Sequence, residues 1–195
     1  MNVGIFIYDN AEVLDFSGPF EVFSTASRLS NPQNAFNVFL VAEHKRPVMA
    51  RGGYGINPHF TFDNHPPMDL LIVVGGVHTE AVKNPKVIEW VAEVASKTPH
   101  VASVCTGAFI LAEAGQVSGL RVTTHWEDLA DLQESYPDLT VLAEQRWVED
   151  GKFVTSAGIS AGIDMSLYLV SKLVDLALAE ATAKQMEYDW QKRAL

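Results

Sequence analysis

Four short runs of β-branched and aromatic residues most narrow the choice of fold. Asn2–Tyr8 (NVGIFIY), Phe36–Ala42 (FNVFLVA), Leu70–Val74 (LLIVV) and Val101–Val104 (VASV) are apolar at nearly every position rather than at alternate ones. Strands of that kind are buried on both faces, the condition of a parallel sheet covered by helices. Helical patterns fill the intervals. Gly18-Pro19 puts proline in the first turn of a helix carrying Phe20, Val22 and Phe23. Asn84-Pro85 opens a second, with Val87, Ile88, Val91, Val94 and Ala95 on one side. Gly107–Ala114 is a third, stopped by Gly115. The alternation predicts an α/β fold: a mostly parallel, flavodoxin-like sheet sandwiched by helices. Asp150-Gly151, between Trp147–Glu149 and Phe153–Thr155, predicts a hairpin. Ile159–Leu178 reads as one long apolar helix and Glu180–Arg193 as a last one. With 195 residues, 48% of them hydrophobic, the chain is sized for a single domain spanning residues 1–195. The Gly-, Pro- and Asn-rich stretch Arg51–Pro67 is suited to a loop lining a site or a partner surface.

Charge removes several function classes. Fourteen Lys and Arg against 24 Asp and Glu give a net charge of −10. Binding a phosphate backbone needs clustered cations, so no nucleic-acid partner is expected. The apolar runs fall well short of the ~18–20 residues that span a bilayer, so no membrane partner is expected either. The N-terminus lacks a basic segment and meets acids early, at Asp9, Glu12 and Asp15, which predicts a cytoplasmic protein. Cys105 is the sole cysteine and excludes an intramolecular disulfide or a multi-cysteine zinc site. His44, His59, His65, His78 and His100 show no paired ligand spacing, so no metal is expected.

The informative stretch is Ser103-Val104-Cys105-Thr106-Gly107-Ala108. An apolar strand enters the cysteine and a small-residue helix leaves it, which is the layout of a nucleophile elbow. The helix N-terminus would favour the Cys105 thiolate. A buried, inert core cysteine fits the composition equally well. Asp15, in Leu14-Asp15-Phe16-Ser17-Gly18-Pro19, follows the first strand. It fits a helix N-cap or an acid facing Cys105 across the carboxyl ends of the strands. Gly75 and Gly76 end the Leu70–Val74 strand and serve either a tight turn or an oxyanion hole. Thr106 could orient a ligand or cap its own helix. His125, in Thr123-Thr124-His125-Trp126, suits proton transfer or a structural role. Glu12 and Glu21 read as solvated charges, and Trp126 and Trp147 as core or dimer contacts.

Taken together, Leu14–Pro19, Val74-Gly75-Gly76, Ser103–Ala108, Thr123–Trp126 and Gly158-Ile159-Ser160-Ala161-Gly162-Ile163-Asp164 resemble the DJ-1/PfpI superfamily, from Asn2 to about Leu178. The protease-like branch places histidine directly after the cysteine; here that position is Thr106. Asp15 in L-D-x-x-G-P, with V-C-T-G and T-T-H-W, is most similar to isonitrile hydratases and to the sensor domains of AraC-type regulators. The regulators continue into a DNA-binding domain, for which a chain ending at Leu195 leaves too little room, so a stand-alone enzyme is expected. The resemblance implies a cofactor-independent homodimer acting on a small molecule. Cys105, Asp15 and Thr106 would be catalytic, and Gly75, Gly76, His125 and Ile159 would meet the substrate. It leaves two alternatives: a glyoxalase-like enzyme using Cys105, His125 and Asp15, or a redox- or ligand-sensing protein without turnover.

Overall fold

The computed structural model describes residues 1–192. In chain order its elements are β1 (Asn2–Phe6), α1 (Val13–Leu29), β2 (Asn37–Ala42), β3 (Val48–Ala50), β4 (Tyr54–Ile56), β5 (Phe60–Thr61), β6 (Leu70–Val73), α2 (Thr79–Lys83) and α3 (Pro85–Lys97). There follow β7 (His100–Val104), α4 (Gly107–Glu113), β8 (Arg121–Val122), α5 (Leu129–Ser135), β9 (Thr140–Val141), β10 (Trp147–Asp150), β11 (Phe153–Ser156), α6 (Ala161–Leu173) and α7 (Leu176–Gln185). Seven strands form the central sheet in the order β10-β11-β7-β6-β1-β2-β5. All neighbours pair in parallel except β10 and β11, the hairpin around Asp150-Gly151. Gly151 takes φ 60° there, a conformation that glycine adopts at little cost.

The continuous apolar runs are covered on both sides. Alternate residues Ile5, Leu40 and Ile72 pack with Phe16 and Phe23 of α1 and Met165 and Leu169 of α6. Their neighbours Phe6, Phe39 and Leu71 pack with Trp90 of α3 and Ile110 of α4. The chain crosses from one edge to the other around β1, whose neighbours are β2 and β6. The carboxyl ends of β1, β6 and β7 therefore converge at a switch point, the place in an open parallel sheet where ligands bind.

Several boundaries differ from the sequence reading. Helix α1 begins at Val13, so Pro19 lies inside it rather than in its first turn. Asp15 is consequently not an N-cap: Glu12 holds that position, and Asp15 is a fully buried residue of the first turn. The Arg51–Pro67 stretch contains strands β4 and β5. The apolar stretch 159–178 breaks into two helices because Asp175 caps the second, its carboxylate accepting Leu178 N–H at 2.7 Å. The chain then leaves helix at Gln185, with Glu187 at φ 50°. The end of the expected last helix, Arg193, lies outside the described residues. Residues 186–192 run instead as a strap over α6, where Trp190 Nε1 donates to Asp164 O at 3.2 Å and Gln191 N to Asp164 Oδ1 at 2.9 Å. Asp164 is fully buried and also accepts from the Arg146 guanidinium. Trp147 is core, stacked on Tyr168, whereas Trp126 is 72% exposed and is no core residue.

Candidate active site

The turn after β7 is an elbow in its backbone. Cys105 sits at φ 55°, a left-handed conformation that side chains rarely take, and α4 starts two residues later at Gly107. Gly107 is obligatory: a Cβ there would stand 2.2 Å from Val73 O, so α4 packs directly on the end of β6. The elbow exposes the sulfur to a cleft of about 280 Å³ whose wall includes Gly76, Thr106, His125, Asp128, Ile159 and Arg51. Cys105 itself is only 6% exposed, at the cleft's floor.

Asp15 lies beneath that floor. Its Oδ2 accepts Gly75 N–H at 3.0 Å, and its Oδ1 is buried without a hydrogen-bond partner. Gly75 makes the approach possible, since a Cβ would fall 2.5 Å from Thr106 N and 2.9 Å from Asp15 Oδ2. Burial pushes the Asp15 carboxyl up to about 8; the Gly75 N–H opposes the rise, and the neighbouring thiol, outside hydrogen-bond geometry, offsets a little more. The carboxyl is thus mostly protonated at neutral pH. Burial likewise pushes the Cys105 thiol up, reinforced by the charge of Asp15 and resisted by Thr106 N–H. This runs against the thiolate expectation: desolvation at the floor opposes the ionisation that the short helix behind it favours.

The two glycines also play another part than an oxyanion hole. Gly75 N–H is taken by Asp15, and Gly76 N–H donates to Thr106 Oγ1 at 3.0 Å. The Thr106 hydroxyl donates back to Gly76 O at 3.0 Å, so it is not free to orient a ligand. These contacts position the acid and the elbow. Thr106 keeps its N–H toward the sulfur.

His125 and Cys105 meet across Gly158. A Cβ on Gly158 would stand 2.5 Å from His125 Cδ2 and 2.8 Å from Cys105 Sγ. Ala157 N–H donates to Arg146 O at 3.0 Å, which anchors this wall to the β10 side of the molecule. Gly158→Ala is therefore expected to keep the fold and to lower turnover ~10- to 100-fold by displacing sulfur and ring; steady-state kinetics beside a melting curve check it.

Sequence reasoning missed four contributors. Glu12 is not a free surface charge: its carboxylate pairs with Arg51 at 2.9 Å on the cleft wall. The Tyr8 hydroxyl is buried without a partner, and its pKa is well above the ordinary value through burial first and then through Asp15 and Cys105. Gly158 and Asp128 complete the set. A glycine one residue before Ile159 was a visible signal for Gly158; nothing in the spacing pointed to Glu12 or Tyr8.

A family model described as the DJ-1/PfpI family matches residues 1–172. The chain belongs to the DJ-1/PfpI family. Within it, the chain is 30% identical to an isonitrile hydratase of Pseudomonas putida, over 96% of this chain and 78% of that protein. It is 34% identical to the HTH-type transcriptional regulator CdhR of Pseudomonas aeruginosa, over 71% of this chain but 41% of the regulator. Among solved DJ-1/PfpI structures, a family member from Pseudomonas syringae superposes with a TM-score of 0.87 at 28% identity, covering 96% of this chain and 75% of that one. Among the described residues no helix is long and apolar enough to cross a membrane.

Proposed function

We propose that the protein hydrates isonitriles to N-substituted formamides, without a cofactor. The observation that carries this is a fully buried carboxyl with one unpartnered oxygen, pushed up by burial, beside a cysteine at a strained elbow. The terminal carbon of R–N≡C needs both a nucleophile and a proton, and it offers no oxyanion. A floor whose backbone donors are already used suits that chemistry better than acyl transfer does.

The sulfur attacks the terminal carbon while the Asp15 carboxyl delivers its proton to that carbon and receives the thiol proton. The product of the step is the thioimidate R–N=CH–S–Cys105. Water then adds to its carbon, the nitrogen is protonated, and the C–S bond breaks. R–NH–CHO leaves and the thiol is restored, with no net change of oxidation state. Thr106 N–H faces the sulfur and steadies the charge it bears as it leaves. Ile159 supplies an apolar wall for the R group. The relatedness to the Pseudomonas putida hydratase supports the same reading. The upward push that burial gives the thiol weighs against redox sensing, which depends on an ionised sulfur.

The test is formamide production by the purified chain from a small alkyl isonitrile. Cys105→Ala and Asp15→Ala are expected to lose it by ~10³-fold or more. Variants as fast as the parent would reject the assignment, and lactate from methylglyoxal, lost in His125→Ala, would replace it with the glyoxalase-like reaction. A homodimer belongs to the same proposal and is checked by light scattering.

A further inference from the structure

Asp15 cannot readily serve both halves of such a reaction. It is fully buried, one oxygen is tied to Gly75, and it is not part of the cleft wall. The water that releases product must come from the open side. There the titratable groups on the wall are His125, Asp128, His78, Glu12, Glu127 and Arg51. Of these, His125 alone shares Gly158 with the sulfur. Its Nδ1 faces Asp128 Oδ2 at 3.4 Å, and Glu127 Oε2 more distantly at 3.7 Å. Asp128 is the more sheltered acid, 29% exposed against 63% for Glu127. The same Nδ1 accepts a hydrogen bond from the backbone N–H of Glu127 at 3.4 Å, capping the short turn that follows His125. The two contacts demand opposite tautomers. With Nδ1 accepting from the amide, Nε2 carries the hydrogen and cannot take a proton. With Nδ1–H donating to Asp128, Nε2 is a free base.

We infer that Asp128 is a positioning residue that selects the basic tautomer of His125, and that His125 activates the water which hydrolyses the thioimidate. This rests on the hydratase reading and divides it in two: Asp15 handles the proton of the bond-forming step, His125 that of release. A water proton moves to Nε2 as its oxygen bonds to the imidate carbon and the C=N electron pair moves onto nitrogen. Nε2–H then protonates that nitrogen, giving R–NH–CH(OH)–S–Cys105. The C–S bond breaks, the hydroxyl proton ends on sulfur, and R–NH–CHO departs. Between the two transfers the imidazolium donates Nδ1–H to the Asp128 carboxylate, the arrangement by which an acid orients a catalytic histidine.

Asp128 makes no side-chain cap for α5, so Asp128→Asn is a mild change to the fold. The experiment follows n-butyl isonitrile by single-turnover quench with intact-mass detection of Cys105, beside steady-state formamide production. Asp128→Asn is expected to lower kcat ~10- to 100-fold, to leave the first step intact, and so to accumulate a Cys105 adduct one substrate mass heavier. His125→Gln should do the same, Asp128→Glu should restore most of the rate, and ¹⁵N spectra of Asp128→Asn should show His125 shifted toward the Nε2–H tautomer. Parental kcat in Asp128→Asn, or a slow variant with no adduct, overturns the inference and leaves the hydratase reading standing. A parent that makes no formamide overturns both.

Discussion

Asp15→Asn is expected to give a protein that is inactive and, above pH 8, more stable than its parent. The folded carboxyl titrates at about 8, the unfolded one near its ordinary 3.8. Folding therefore favours the protonated form. The stability that this proton contributes is fully present below about pH 4 and is lost as pH rises through about 8. Four units correspond to on the order of 5 kcal/mol between those limits. Asparagine carries no such charge and can still accept Gly75 N–H, while its amide NH₂ replaces the carboxyl beside Cys105. Melting curves across pH 4–9 should show a parent whose stability falls between about pH 4 and 8 and levels off above that, and a variant that lacks this fall. Parallel curves would mean that the carboxyl is less desolvated than its surroundings indicate. The loss of turnover follows from the missing proton, so one substitution separates what the acid costs the fold from what it does for the reaction.

Arg146→Met is expected to destabilise the protein by about 3–5 kcal/mol, the cost of leaving a buried charge without its partner. Asp164 is fully buried in α6 and accepts from Arg146 and from Gln191 N. The Gln191 N–H remains after the substitution, but it carries no compensating charge. Urea unfolding at neutral pH measures the deficit. Adding Asp164→Leu should recover most of it, because the penalty lies in the orphaned carboxylate rather than in the lost contact. A double variant no better than the single one would place the effect in packing.

The architecture was legible because buried parallel strands announce themselves as unbroken apolar runs, and because Cys105-Thr106-Gly107 carries the strand–turn–helix change in consecutive residues. The convergence of Asp15, Gly75, Cys105 and His125 was legible only through motifs spread over the chain, since spacing alone left each with a structural alternative. What local reasoning could not supply was the balance of environments. The dipole of α4 favours a thiolate, yet α4 is short and Cys105 is buried, so desolvation pushes the other way. Glycine after a strand suggested free backbone donors, but the hydroxyl of Thr106 and the carboxyl of Asp15, 30 and 60 residues away, had already claimed them. Pro19 suggested a helix start, yet tertiary burial of Asp15 and Phe16 carried the helix six residues further back. Asp175 interrupts an apolar stretch that hydropathy alone runs together.

The reciprocal pairing of Thr106 with Gly76, and the grip of Gly75 on Asp15, mean that this pocket base is assembled without help from a guest. Molecules that enter meet a preset mould, so selectivity must come from what the rigid base refuses to admit, and an inhibitor shaped to the empty cavity should lose little affinity to reorganisation.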